Sequence, residues 1–195
     1  MAERLVLDLF CEDNGHEVFV TNLVRVMARA LAVPDPLVRP ISARGGHGRA
    51  ISELKTWQRS LRSGAFERGD ALLVVIDPNS SGWRSMDREI RAGIDATLYP
   101  YVLIGCPDPH VEVWCAADPI AFQKLFSVAV PPAPARGGRL VYKQWLRAAL
   151  EHGGAVVLGD PMDICLDLLP AVDLNRACRN DAALNHHVAD LRALL

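Results

Sequence analysis

The stretch Ala71-Leu72-Leu73-Val74-Val75-Ile76, closed at once by Asp77-Pro78-Asn79, decides the fold class. A strand with one face in water alternates apolar and polar residues. This one is apolar without a break, short and β-branched, which is how a strand reads when helices cover both faces of a parallel sheet. Upstream, Leu5 to Phe10 is a second apolar run, interrupted by one Asp and ended by the turn-prone Asp13-Asn14-Gly15. A helical stripe of Val18, Leu23, Val26, Met27 and Leu31 predicts a helix over 16–32 that stops before Pro34. Residues 37–42 read as a strand that Pro40 confines to a sheet edge, and 50–61 as a helix. Downstream, a helix over 84–96 and a strand over 101–104 continue the alternation, before the loop Gly105-Cys106-Pro107-Asp108-Pro109. Strand and helix in turn predict an α/β fold with a mainly parallel, Rossmannoid sheet flanked by helices.

The character changes after Asp118. Val130-Pro131-Pro132-Ala133-Pro134-Ala135-Arg136-Gly137-Gly138 reads as a linker. The expected organisation is an α/β domain over 1–128, a Pro/Gly-rich linker over 129–139 and a helical C-terminal extension over 140–195, packed on the sheet. In the extension, helices are expected over 142–151 and 181–195, with a Pro161-initiated turn to Leu169 between them.

Composition narrows the function classes. The 195 residues carry 21 basic and 23 acidic side chains, 50% hydrophobic residues and a formal charge of −2. A chain of this size and composition buries a core without staples, and its charge excludes a protein that coats nucleic acid over its whole surface. Five cysteines without a CxxC pair encode neither a disulfide framework nor a zinc ribbon, and read as small buried hydrophobes. The N-terminus has neither signal-peptide nor membrane-span character, so a cytoplasmic protein without membrane partners is expected.

In parallel sheets ligands bind beyond the carboxyl ends of the strands, and the acids gather there. Glu12 and Asp13 follow the first strand, Glu17 lies in the next helix, Asp77 ends the buried strand, and Glu112 follows the fourth strand in His110-Val111-Glu112-Val113-Trp114. Several hard oxygen ligands from separate strand ends are what a magnesium-dependent phosphoryl-transfer site requires. Taken alone, Glu17 is better explained by the helix dipole, and Asp13 by the turn. From Arg44 to Arg68, six basic residues (Arg44, Arg49, Lys55, Arg59, Arg62, Arg68) face only Glu53 and Glu67. With His47 in a Gly-rich loop, and Arg84, Arg88 and Lys143 elsewhere, they form the candidate nucleic-acid contacts. Arg84, Arg88 and Arg91 are equally accounted for as a solvated helix face balanced by Asp87, Glu89 and Asp95. His186-His187 and Ser80-Ser81-Gly82 lack the spacing of a metal or nucleophile motif, and Trp114 reads as a core or interface anchor.

Two segments resemble a known family. Cys11-Glu12-Asp13-Asn14-Gly15-His16-Glu17-Val18-Phe19 is similar to the opening of small stand-alone TOPRIM-like proteins, relatives of the OLD nucleases encoded beside ABC-type ATPases in bacterial defence islands. Pro109-His110-Val111-Glu112-Val113-Trp114-Cys115-Ala116-Ala117-Asp118-Pro119 resembles their second conserved segment, while Tyr142-Lys143 and Val172-Asp173-Leu174 echo weaker ones. The resemblance implies a TOPRIM-like fold and metal-dependent cleavage of nucleic acid, DNA ahead of RNA, with Mg²⁺ or Mn²⁺ as cofactor and an ABC- or SMC-type ATPase as partner. It makes Glu12 a metal ligand or general base and Asp77 the first acid of a DxD motif. Asn79 stands where that motif has its second acid; its carbonyl can coordinate a metal but brings no charge, which shifts the burden to Glu17 and Glu112. The expectation is therefore a TOPRIM-type nuclease with Glu12, Asp77 and Glu112 as catalytic residues. The alternative is a catalytically inactive TOPRIM-like module that docks on an ATPase and helps sense nucleic acid.

Overall fold

The computed structural model describes residues 4–42, 47–78 and 81–195, and among these the chain forms an α/β fold on a four-stranded, all-parallel sheet. Strands β1 (Val6–Cys11), β2 (Leu37–Ser42), β3 (Ala71–Val75) and β4 (Tyr101–Gly105) lie in the order β2-β1-β3-β4. Pro40, which has no N–H to donate, sits in edge strand β2 opposite Leu9. All five residues of β3 are buried, as their unbroken apolar run requires.

Alternation along each strand sorts the core into two layers. Leu7, Leu9 and Cys11 of β1 share a cluster with Ala71, Leu73 and Val75 of β3. Phe10, Leu72, Val74 and Ile76 belong to a second cluster on the other face. Helix α1 (Asn14–Ala30) joins β1 to β2 and buries Phe19, Val20, Leu23, Val24 and Met27 against the first face. Helices α2 (His47–Arg62) and α3 (Trp83–Gly93) carry the chain the opposite way across the sheet, and right-handed crossovers then demand the second face. Ala50, Leu54, Met86 and Ile90 are buried there.

Beyond β4 come α4 (Val111–Cys115), α5 (Pro119–Phe126), α6 (Arg139–His152), α7 (Cys165–Leu168), α8 (Leu174–Asn180) and α9 (Ala182–Leu194), with 3-10 turns at Pro161–Ile164 and Leu169–Ala171. This stretch adds Leu146, Leu150, Met162, Leu168, Leu184 and Leu191 to the first-face cluster, so one core runs through the Pro/Gly-rich segment into the helical extension. Helix α1 begins at Asn14 rather than 16 because Asp13 caps it. Helices α4, α5 and α8 escape the periodicity reading because they are eight residues or shorter, too short to repeat an apolar stripe.

Two buried carboxylates hold the architecture together away from the candidate site. Asp8 accepts from Arg39 Nε (2.7 Å), the Gly69 amide (2.7 Å) and Tyr99 Oη (2.6 Å). Asp118 caps α5 and takes a two-pronged guanidinium contact from Arg176, Nε to Oδ1 at 2.6 Å and Nη2 to Oδ2 at 2.7 Å. That contact fastens α8 to the core. The cysteines are free thiols, four of them buried, and no described helix is long and apolar enough to cross a membrane.

Candidate metal centre

The strand order reverses between β1 and β3, since the chain moves to one side of β1 through α1 and to the other through α2. The crevice at such a switch point, beyond the carboxyl ends of the strands, is where parallel sheets place ligands. Cys11 pairs with Val75 in the last register position, so Glu12 and Asp77 leave the sheet side by side.

Asp13 builds the entrance to α1. Its Oδ1 accepts from the His16 amide at 3.1 Å, the N-cap bond, and from His16 Nδ1 at 2.7 Å. The ring is thereby turned across the crevice, and its Nε2 lies 2.8 Å from Asp77 Oδ1. The second Asp77 oxygen accepts from His110 Nδ1 at 2.7 Å; His110 immediately precedes α4 and its ring lies 4.6 Å from that of Tyr142. One carboxylate is thus gripped by two imidazoles that arrive from different strand ends.

Electrostatics follow from this geometry. Donating from both ring nitrogens to carboxylates requires a protonated His16. Burial lowers its pKa, but the Asp77 charge and the bonds to Asp13 and Asp77 override burial and push it up to about 10. Burial raises Asp13 and Asp77, yet the imidazolium holds both below the usual carboxylate range. Glu12 has no such bonded cation; burial, then the Asp77 charge, raises it. Its Oε2 is buried without a hydrogen-bond partner.

Glu12, His16 and Asp77 each offer a donor atom, all within 4.8 Å of one another, and this buried cluster could hold a metal ion. Above it lie two cations from α6: Arg139 Nε is 3.1 Å from Asp13 Oδ2, and Lys143 Nζ is 3.8 Å from the same oxygen while paired with Asp160.

Of the residues expected from sequence, Glu12 and Asp77 converge. Glu112 is not among the three donors within 4.8 Å of one another, although it is near enough for the charges of Asp77, Lys143 and His16 to act on it. It lies on α4 with Val111, Trp114 and Cys115, all turned into the protein, where burial pushes its pKa up to about 7 and neither carboxylate oxygen has a hydrogen-bond partner. Glu17 is also outside the cluster. Asn79, Arg44 and the side chain of His47 lie outside the described residues.

The expected nucleic-acid contacts are dispersed. Lys143 reaches the site from α6. Arg84 opens α3 at the same sheet edge, its guanidinium 4.5 Å from the Trp83 ring, and Arg88 follows one turn later. Arg49 pairs with Glu53 near the start of α2 at 3.7 Å. Lys55, Arg59 and Arg62 occupy the second half of α2, which runs back toward the opposite edge of the sheet. They therefore do not line the acidic cluster.

Sequence reasoning missed His16, His110, Arg139 and Asp160. For His16 a signal existed: the Asp13 to His16 spacing is that of a cap and its N3 residue. His110 had none, since its partner is 33 residues upstream. Trp114 is buried in the core as expected, against Phe19 and stacked on His187. Compared with family models, curated proteins and solved structures, the chain matches none.

Proposed function

We propose that this chain is a divalent-cation-dependent phosphoryl-transfer enzyme that cleaves the phosphodiester backbone of nucleic acid, DNA ahead of RNA, in the manner of TOPRIM-type nucleases. The observation that carries the reading is the convergence of Glu12, His16 and Asp77 at the β1/β3 switch point. The donor set fits a cation once the proton on His16 Nε2 is displaced: two carboxylates and an imidazole, with Glu12 Oε2 buried and unbonded. An imidazole among the donors favours Mn²⁺ over Mg²⁺, which prefers oxygen ligands alone. When bound, such an ion supplies a Lewis acid for a phosphoryl oxygen.

The chain's own groups do the rest. Without an ion His16 bridges Asp13 and Asp77; with Nε2 given to a cation, the bond from Nδ1 to Asp13 would still hold the ring in place. Arg139, 45% exposed, presents a guanidinium on the solvent side of Asp13, where it can bind a phosphate through two parallel N–H donors. Lys143, held by Asp160, adds a second positive charge. An ABC- or SMC-type ATPase as the partner that recruits the enzyme agrees with the weak overall charge of −2, which gives little unaided attraction to DNA.

The second reading, a non-catalytic module that docks on the ATPase, is favoured by one observation: both Asp77 oxygens already accept from imidazoles, and Asp77 is 1% exposed. Incubation of the purified protein with supercoiled and linear DNA, in Mg²⁺ or Mn²⁺, separates the two. The enzyme reading predicts metal-dependent nicking that is lost in Glu12→Gln and Asp77→Asn. Cleavage that survives both substitutions would sink it, and absence of cleavage across the metal series would favour the docking module.

A further inference from the structure

The basic residues on α2 belong to a structure of their own. Between the second half of α2 and the turn that follows α3 lies an open recess of about 520 Å³, lined by Lys55, Gln58, Arg59 and Arg62 on one side and by residues 92–95 on the other. Both walls lead into the starts of strands, β3 and β4, so the recess sits at the sheet edge opposite Glu12, His16 and Asp77.

Its walls are fixed to each other. Gln58, 5% exposed, donates Nε2 to the Gly93 carbonyl at 2.9 Å and accepts from the Asp95 amide through Oε1 at 2.6 Å. Asp95 is tied down by Thr97, whose amide and hydroxyl both reach Oδ1, and its Oδ2 accepts from Arg62 Nε at 3.0 Å. One carboxylate thus answers one of three cations. Among the described residues, Lys55 and Arg59 have no carboxylate partner; Arg59 donates instead to Thr56 Oγ1 at 2.9 Å.

We infer that this recess is a docking surface for the phosphate backbone of duplex nucleic acid, separate from the metal centre. Spacing selects the ligand. Lys55, Arg59 and Arg62 stand at i, i+4 and i+7 on one face, strung along about 10.5 Å of helix axis, whereas one strand of a duplex carries a charge every ~3.4 Å of its axis. A row of that length meets about three consecutive phosphates. A lone anion is better held by donors that converge on one point. The recess presents no bulky exposed apolar side chain of the kind a lipid surface would take up. The inference rests on the nucleic-acid reading only for the choice of polyanion. It places the nucleic acid along the α2/α3 layer, gripped about 12–22 Å down the α2 axis from the edge that carries the acids.

The test is fluorescence anisotropy of a labelled duplex titrated with the full chain in EDTA across a salt series, so that no cleavage intervenes. Lys55→Ala/Arg59→Ala leaves the Arg62–Asp95 pair intact, and both substituted residues are exposed. Losing two phosphate contacts lowers the slope of log K against log salt by about 1.8 and weakens binding about 60-fold at 0.1 M salt. Arg25→Ala/Arg29→Ala on α1 removes the same charge from the other layer and is expected to keep the slope. Equal losses in the two double variants, or an unchanged slope in Lys55→Ala/Arg59→Ala, would overturn the inference. So would displacement of the duplex by inorganic phosphate beyond that by chloride of matched ionic strength, which would mark a single-anion site. Because cleavage plays no part, the result stands apart from the fate of the metal-centred reading.

Discussion

Lowering the pH is expected to loosen this protein through His187. The residue is completely buried on α9, its ring stacked on Trp114 with centroids 5.6 Å apart and lying where a Cβ on Gly105 would meet it at 3.1 Å. Neither ring nitrogen has a well-formed hydrogen bond, although the Ile104 backbone is close enough to act on the ring. Burial dominates and lowers its pKa to about 4; the Ile104 backbone pulls the other way, and the neighbouring His186 adds a lesser lowering. The unfolded chain titrates near 6.5, so between these values the unfolded state binds more protons, and stability falls as pH falls. Integrated over that window, the penalty is negligible at pH 7 and about 2 kcal/mol at pH 5. His187→Leu removes the titration. It also removes a buried imidazole that lacks a well-formed hydrogen bond, so at pH 7 it is expected to cost little beyond the stacking with Trp114, about 1 kcal/mol. Urea unfolding of both proteins at pH 7, 6 and 5 gives the comparison directly. The wild type should lose about 2 kcal/mol more than His187→Leu between pH 7 and 5. Parallel pH profiles would refute the reasoning, because they would mean that His187 takes up no extra proton on unfolding.

Two further substitutions probe the scaffold. Asp118→Ala removes the cap of α5 and the partner of Arg176, so it should cost at least the ~1 kcal/mol of a lost helix cap, and Arg176→Ala should then cost less in that background than in the wild type in the same urea assay; additive losses would contradict the clamp. At Gly69 an added Cβ would lie 2.6 Å from the Val6 carbonyl oxygen and 3.2 Å from the Asp8 carboxylate, so Gly69→Ala should lower the melting temperature by more than the ~4 °C that 1 kcal/mol represents in a domain of this size; an unchanged melting temperature would show that the close approach relaxes freely.

What the sequence disclosed depends on the range of the interactions involved. Ala71 to Ile76 declared a buried parallel strand because burial on both faces leaves its mark residue by residue. Pro40 declared an edge because a missing N–H cannot be hidden inside a sheet. Glu12 and Asp77 were legible as neighbours, since strand ends at a switch point converge in any fold of this class. Glu112 was placed correctly after β4 but not oriented: each helical residue turns the side chain by about 100°, and the short α4 gave no periodicity from which to read its inward face. Contacts across long sequence separations, such as His110 with Asp77 and Arg176 with Asp118, are set by packing and leave no local pattern. The basic count was legible as well. Its division between a group at the acidic edge and a recess at the far edge follows only from the direction in which α2 runs.

Whether Glu12, His16 and Asp77 form a divalent-cation site is decided by Mn²⁺ binding in isothermal titration calorimetry. One ion per chain is expected, with a matching rise in melting temperature worth about 2.7 kcal/mol when free Mn²⁺ is 100 times the dissociation constant. Binding should be lost in Asp77→Asn and weakened at least tenfold in Glu12→Gln. Binding of undiminished strength in both variants, or no binding at millimolar Mn²⁺ to a folded wild-type protein, would rule the site out.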